Sequence, residues 1–143
     1  MAEASIAKTC QFILQRSNGF QPQVGLILGS GLGLLADRIE DAYRIPYSEI
    51  PGFPESRVQG HAGNFVLGNL CGAQVVAMQG RAHLYEGWSA SKATYPLRCM
   101  HALGIGAVII SNASGGIHPR FHSGQVILID GHIDLCIATT SFP

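Results

Sequence analysis

Arg81 and His83 stand two residues apart in Gly80-Arg81-Ala82-His83-Leu84-Tyr85-Glu86-Gly87, directly after the apolar run Gln74–Gln79. A guanidinium is a planar fork that donates two parallel hydrogen bonds, a geometry suited to phosphate. A second cluster, Gly29-Ser30-Gly31-Leu32-Gly33, lies between the apolar run Val24–Leu28 and the short helical pattern Leu34–Ile39. Glycines let the backbone turn tightly and approach a ligand closely, and N–H groups at the start of a helix attract anions. Ser30 adds a hydroxyl donor. A third small-residue loop, Ser111-Asn112-Ala113-Ser114-Gly115-Gly116, follows the apolar run Ala107–Ile110. All three loops follow strand-like segments. In open α/β sheets ligands bind beyond the carboxyl ends of the strands. If these strands are parallel neighbours, the loops converge on one anion.

Each loop also has a plainer reading. The glycine loop could be an ordinary strand-to-helix turn, Arg81 a surface partner of Glu86, His83 a structural histidine, and Asn112–Gly116 a close-packing segment. The glycine loop also matches half of a dinucleotide fingerprint. However, the third glycine of G-x-G-x-x-G falls on Leu34, and the acid expected about 20 residues on falls near Glu49, in a proline-flanked loop.

The elements that must position these loops follow from periodicity. Residues 3–17 carry apolar positions at helical spacing, and Gly19 can close that helix in the left-handed conformation. Val24–Leu28 and Ala107–Ile110 read as strands buried on both faces. Ala42–Pro46 reads as a short strand. Asn64–Leu70 and Gln74–Gln79 read as a hairpin joined at Gly72-Ala73. Residues 91–103 read as a helix, with Pro96 demanding a kink or a later start. Gln125–Ile129 reads as a further strand. Residues 47–63 are irregular and rich in proline and glycine, and residues 50–64 read as a lid carrying His61. The order of strands and helices gives the α/β class.

Composition narrows the function. The chain has 143 residues, 47% hydrophobic and 13% charged, with nine basic and nine acidic side chains. That is enough for one domain with a core, and too apolar for disorder. No basic run supports a nucleic-acid surface, and no apolar run approaches the ~20 residues of a membrane span. Glu3 stands where a signal peptide would carry bases, so the cytoplasm is the expected location. Cys10, Cys71, Cys99 and Cys136 form no close pair. They read as reduced and mostly buried, without a metal role. His101, His118 and His122 have no metal-ligand spacing either. No helix follows the last strand-like segments, so the chain reads as truncated or reliant on a partner.

Over residues 20–135 the chain closely resembles the trimeric class of purine nucleoside phosphorylases. The resemblance is carried by Ile27–Gly33, Ile50-Pro51-Gly52-Phe53-Pro54, Gly60-His61-Ala62-Gly63, Gly80–Gly87 and Ser111–Gly116. Asp130-Gly131-His132-Ile133-Asp134 resembles the family's Asp-His-Ile-Asn segment with a glycine inserted. The resemblance implies a three-layer α/β/α fold around a central mixed sheet, with residues 1–143 the N-terminal portion of a single domain. It implies reversible phosphorolysis of purine (deoxy)ribonucleosides to free base and pentose 1-phosphate. Inorganic phosphate is then a co-substrate, no cofactor or metal takes part, and the full-length form is a homotrimer. By the same resemblance Ser30, His61, Arg81, His83 and the Ala113 backbone N–H bind phosphate, His83 is catalytic, and Tyr85 lies against the pentose. Family members are longer, and their later half carries the purine contacts. The resemblance thus implies a phosphate-binding half present and a base-binding half missing. The alternative is a truncated, non-catalytic chain that binds phosphate or associates with intact subunits.

Overall fold

The computed structural model describes residues 5–29, 31–54 and 63–133. The chain divides after Ala113 into two compact units, residues 1–113 and 114–143.

The first unit is built on a five-stranded mixed sheet in the order β2-β3-β4-β1-β5. Its strands are β1 (Val24–Leu28), β2 (Glu40–Pro46), β3 (Asn64–Leu70), β4 (Ala73–Gln79) and β5 (Ala107–Ile110). The central strand β1 runs parallel to both β4 and β5, whereas β2, β3 and β4 pair antiparallel. Side chains alternate across a strand. Leu26, Leu28, Val66, Val75 and Ala77 therefore pack on one face with Ala36 and Ile39, from and beside a 3-10 turn at Gly33–Arg38. Ile27, Phe65, Leu67, Val76 and Met78 pack on the other face against helices α1 (Ile6–Arg16) and α3 (Tyr95–Ala102). The α/β class and the mixed sheet are as the sequence implies.

Local chemistry explains the helix ends. Ser5 caps α1 by accepting from the Lys8 N–H at 3.3 Å, satisfying a donor that the first turn leaves open. Asn18 and Gly19 both take positive φ beyond the helix, and the Gly19 N–H bonds to the Leu14 carbonyl at 2.8 Å. The helix expected over 91–103 is split. A four-residue turn, α2 (Ala90–Ala93), precedes α3, whose second residue is Pro96. Proline is tolerated in a first turn because its missing N–H would have had no helical partner there.

Further expectations change. The helix expected at 34–39 is the 3-10 turn. Residues 50–54 are not lid: Ile50, Phe53 and Pro54 are buried, and Phe53 packs against Tyr47, Phe65 and Tyr95. Three aromatic partners for one ring favour a fixed anchor, and residues 55–62 lie outside the described residues. β5 is exposed rather than buried on both faces, with Val108, Ile109 and Ile110 at 40%, 60% and 57% accessibility. It is an edge strand, paired only with β1 among the described residues. Cys71 is exposed because it sits in the β3–β4 turn with φ 51°. Cys10 and Cys99 are buried as expected, and Cys136 lies outside the described residues.

In the second unit, residues 125–129 form no strand. Val126 and Leu128 are 96% and 93% exposed. A strand needs a hydrogen-bonded neighbour, and among the described residues this segment has none. Short turns link Phe121 to His118 and Gln125 to His122. No helix among the described residues is long and apolar enough to cross a membrane.

Candidate functional site

The parallel register brings three strand ends to one edge. Leu28 lies opposite Gln79, and Ile27 opposite Ile110. Gly29, Gly80-Arg81 and Ser111-Asn112-Ala113 leave the sheet side by side, which is the convergence that the sequence makes conditional on parallel strands.

The three segments are bonded to one another. Ser111 Oγ accepts from the Gly29 N–H at 2.9 Å and donates to the Ile27 carbonyl at 3.2 Å. Arg81 Nη1 donates to the Ser111 carbonyl at 2.8 Å. A Cβ on Gly29 would lie 2.8 Å from Asn112 Cα and closer still to the Ser111 carbonyl oxygen. Glycine is required there by the approach of the neighbouring loop. Gly31 takes φ +84° in open space, so that glycine serves the turn itself. The far end of the glycine loop is held by Gln79, whose Nε2 donates to the Gly33 carbonyl at 3.0 Å.

A cavity of about 260 Å³ opens on the helix side of this edge, with Ile27, Met78, Leu97 and Ile110 as apolar walls and Arg81, Thr94 and Asn112 as its polar groups. A concave apolar site with a few convergent polar groups is the usual form of a small-molecule site. Ala113 is exposed and follows the cavity-lining Asn112.

Beyond Arg81 lies a second, interlocked cluster. Glu86 Oε1 accepts from the His83 backbone N–H at 2.8 Å and contacts His83 Nδ1 at 2.9 Å. The Glu86 side chain is only 6% exposed. With the carboxylate ionised, Nδ1 carries the hydrogen and the ring orientation is fixed. Tyr85 stacks on the imidazole, with ring centroids 4.7 Å apart and planes 17° from parallel, and is itself 76% exposed. Ser30 and His61 lie outside the described residues.

Sequence reasoning missed two contributors: Glu86 as the partner of His83 and Gln79 as the brace of the glycine loop. The i, i+3 spacing of His83 and Glu86 was a readable signal, because such pairs meet on one turn. Gln79 gave none, since its partner Gly33 is distant in sequence. Among the described residues no group of three or more His, Cys, Asp or Glu side chains gathers as a metal site would require.

Residues 23–143 match the phosphorylase superfamily, and the chain belongs to it. More particularly, it is similar to purine nucleoside phosphorylases. It is 52% identical over 134 residues to purine nucleoside phosphorylase 1 of Geobacillus stearothermophilus, a match covering 94% of this chain and 48% of that protein. It is 48% identical over 127 residues to the Mus musculus purine nucleoside phosphorylase, covering 89% of this chain and 44% of the relative. Its fold resembles isoform 2 of the Schistosoma mansoni purine nucleoside phosphorylase, solved with cytosine and ribose-1-phosphate. That likeness has a TM-score of 0.77 at 44% identity, over 83% of this chain and 41% of the other. The chain thus spans less than half the length of these relatives, and the match falls in their N-terminal part.

Proposed function

We propose that this chain carries the phosphate- and pentose-binding part of a purine nucleoside phosphorylase, which exchanges the purine of a (deoxy)ribonucleoside for phosphate. The observation that carries the reading is the fusion of three strand-end loops around Arg81, with its guanidinium anchored on Ser111. Arg81, His83, Ser30, His61 and the Ala113 N–H bind phosphate in this reading, and Tyr85 lies against the pentose. Phosphate attacks C1′ as the C1′–N9 bond breaks, and the bonding pair leaves with the purine. The reacting sugar is oxocarbenium-like, as in glycoside cleavage. A bound phosphate dianion is both nucleophile and counter-charge, so a site that holds and orients it lowers the barrier. His83, held by Glu86, is the group placed to share a proton with that phosphate. Inorganic phosphate is a co-substrate, the reaction uses no cofactor, the location is cytoplasmic, and the full-length assembly is a homotrimer.

The exposed β5 edge favours a second reading, in which the chain associates with intact subunits instead of turning over alone. Two measurements separate them. Calorimetric titration with phosphate tests the site, and a coupled assay for hypoxanthine release from inosine tests turnover. Phosphate binding with turnover supports the enzyme. Phosphate binding without turnover supports the second reading. Absence of phosphate binding overturns the first reading.

A further inference from the structure

We propose that Tyr47 is a positioning residue for phosphate binding, because its hydroxyl fixes the backbone from which Arg81 projects. The inference rests on the phosphate-site reading above. Tyr47 opens a 3-10 turn, Tyr47–Glu49, at the end of β2, and is 3% exposed. Its hydroxyl donates to the Gly80 carbonyl at 2.7 Å. Gly80 has φ +98° and immediately precedes Arg81. That carbonyl lies one residue past Gln79, the last residue of β4 paired in the sheet.

The same residue holds a second strand end. The Tyr47 N–H donates to the Gly63 carbonyl at 2.8 Å, and the Gly63 N–H donates to the Gln79 carbonyl at 3.0 Å. Gly63 is two residues past His61. Tyr47 therefore ties Gly63 and the root of Arg81 into one unit, through its backbone and its side chain. Its ring is wedged against Phe53, with centroids 5.6 Å apart. Burial raises the phenol above its ordinary range, so the hydroxyl stays protonated and available to the Gly80 carbonyl.

Removing the hydroxyl takes from the Gly80 carbonyl its side-chain donor among the described residues and loosens the Arg81 backbone, while the ring packing stays. Phosphate is titrated by calorimetry into the 143-residue chain as wild type, Tyr47→Phe, Phe53→Leu and Arg81→Ala. Phe53→Leu loosens the same corner of the core but keeps the hydroxyl. We expect Tyr47→Phe to weaken phosphate about 5-fold, the scale of one net hydrogen bond, and Phe53→Leu to lower the melting temperature without moving phosphate affinity. Unchanged affinity in Tyr47→Phe beside a loss in Arg81→Ala overturns the proposal and leaves the phosphate site standing. Equal weakening in Tyr47→Phe and Phe53→Leu also overturns it, because the hydroxyl is then not special. Absence of phosphate binding in wild type overturns site and proposal together. If Tyr47→Phe does not fold, 4-aminophenylalanine at position 47 keeps a weaker donor in place. Intermediate affinity supports the proposal, and wild-type affinity overturns it.

Discussion

Arg81 Nη1 donates a 2.8 Å hydrogen bond to the carbonyl oxygen of Ser111, thirty residues away in the chain. The guanidinium is thereby oriented by the loop after β5, although it is carried by the segment after β4. Arg81→Ala should weaken phosphate binding by at least tenfold, since bonds to charged groups contribute ~1.5–3 kcal/mol each. Arg81→Lys should recover only part of that, because an ammonium has no fork with which to hold both Ser111 and a phosphate. Calorimetry on the three proteins checks the order. Equal affinity in wild type and Arg81→Ala would show that phosphate binds elsewhere.

Gly29 and Gly31 should respond differently to the same substitution. Gly29→Ala forces a Cβ into the Ser111-Asn112 backbone and should cost about 1–3 kcal/mol as overpacking, with phosphate affinity falling as the loops separate. Gly31→Ala meets no atom but must hold φ +84°, a strain of about 1 kcal/mol. Chemical denaturation of both variants tests the contrast. Equal destabilisation would mean that the two loops are not in contact.

Glu86→Gln should leave the fold intact and disturb His83. The amide cannot supply the charge that holds the Nδ1 hydrogen. Nitrogen chemical shifts of the imidazole should show Nδ1–H in wild type and a mixture of tautomers in the variant. A wild-type ring protonated only at Nε2 would contradict the assigned pair.

Stability should fall at alkaline pH. Burial raises Cys10, Tyr47 and Tyr95 above their ordinary values and pushes Cys99 up to about 12. In the unfolded chain these thiols and phenols ionise near their ordinary values of 9.0 and 10.0. The folded state then binds more protons, so its advantage is complete below pH 9 and shrinks as pH rises from 9 towards 12. Urea midpoints at pH 7, 9 and 10.5 should decrease in that order. An unchanged midpoint at pH 10.5 would show that folding does not raise these thiols and phenols above their ordinary values.

The 143-residue chain should self-associate through β5. Ile109 is 60% exposed on a strand paired only with β1 among the described residues, and an apolar edge of this kind is a pairing template. Ile109→Lys should shift its elution in size-exclusion chromatography towards the monomer. A wild-type chain that already elutes as a monodisperse monomer would count against this.

The sequence made the strands and the small-residue loops at their ends legible because both signals are local. Val24–Leu28 is a run of apolar residues, and Gly31 sits where a turn needs positive φ. The convergence of the loops also followed once the strands proved parallel. What was not legible depends on partners distant in sequence. Phe53 looked like loop because its neighbours are prolines and glycine, yet it packs on Phe65 and Tyr95. Ile127 and Ile129 looked like strand, but periodicity cannot report whether a neighbouring strand is there to receive them.

The contact between Gly29 and the Ser111-Asn112 backbone reaches into how such a site can change. With no room for even a methyl group at the seam, the loops after β1 and β5 move as one piece. An insertion or a bulky residue in either is felt by both, and through Ser111 by Arg81. Altering the space between these loops therefore takes paired changes on two segments more than eighty residues apart. Redesign confined to one of them breaks the seam before it reshapes that space.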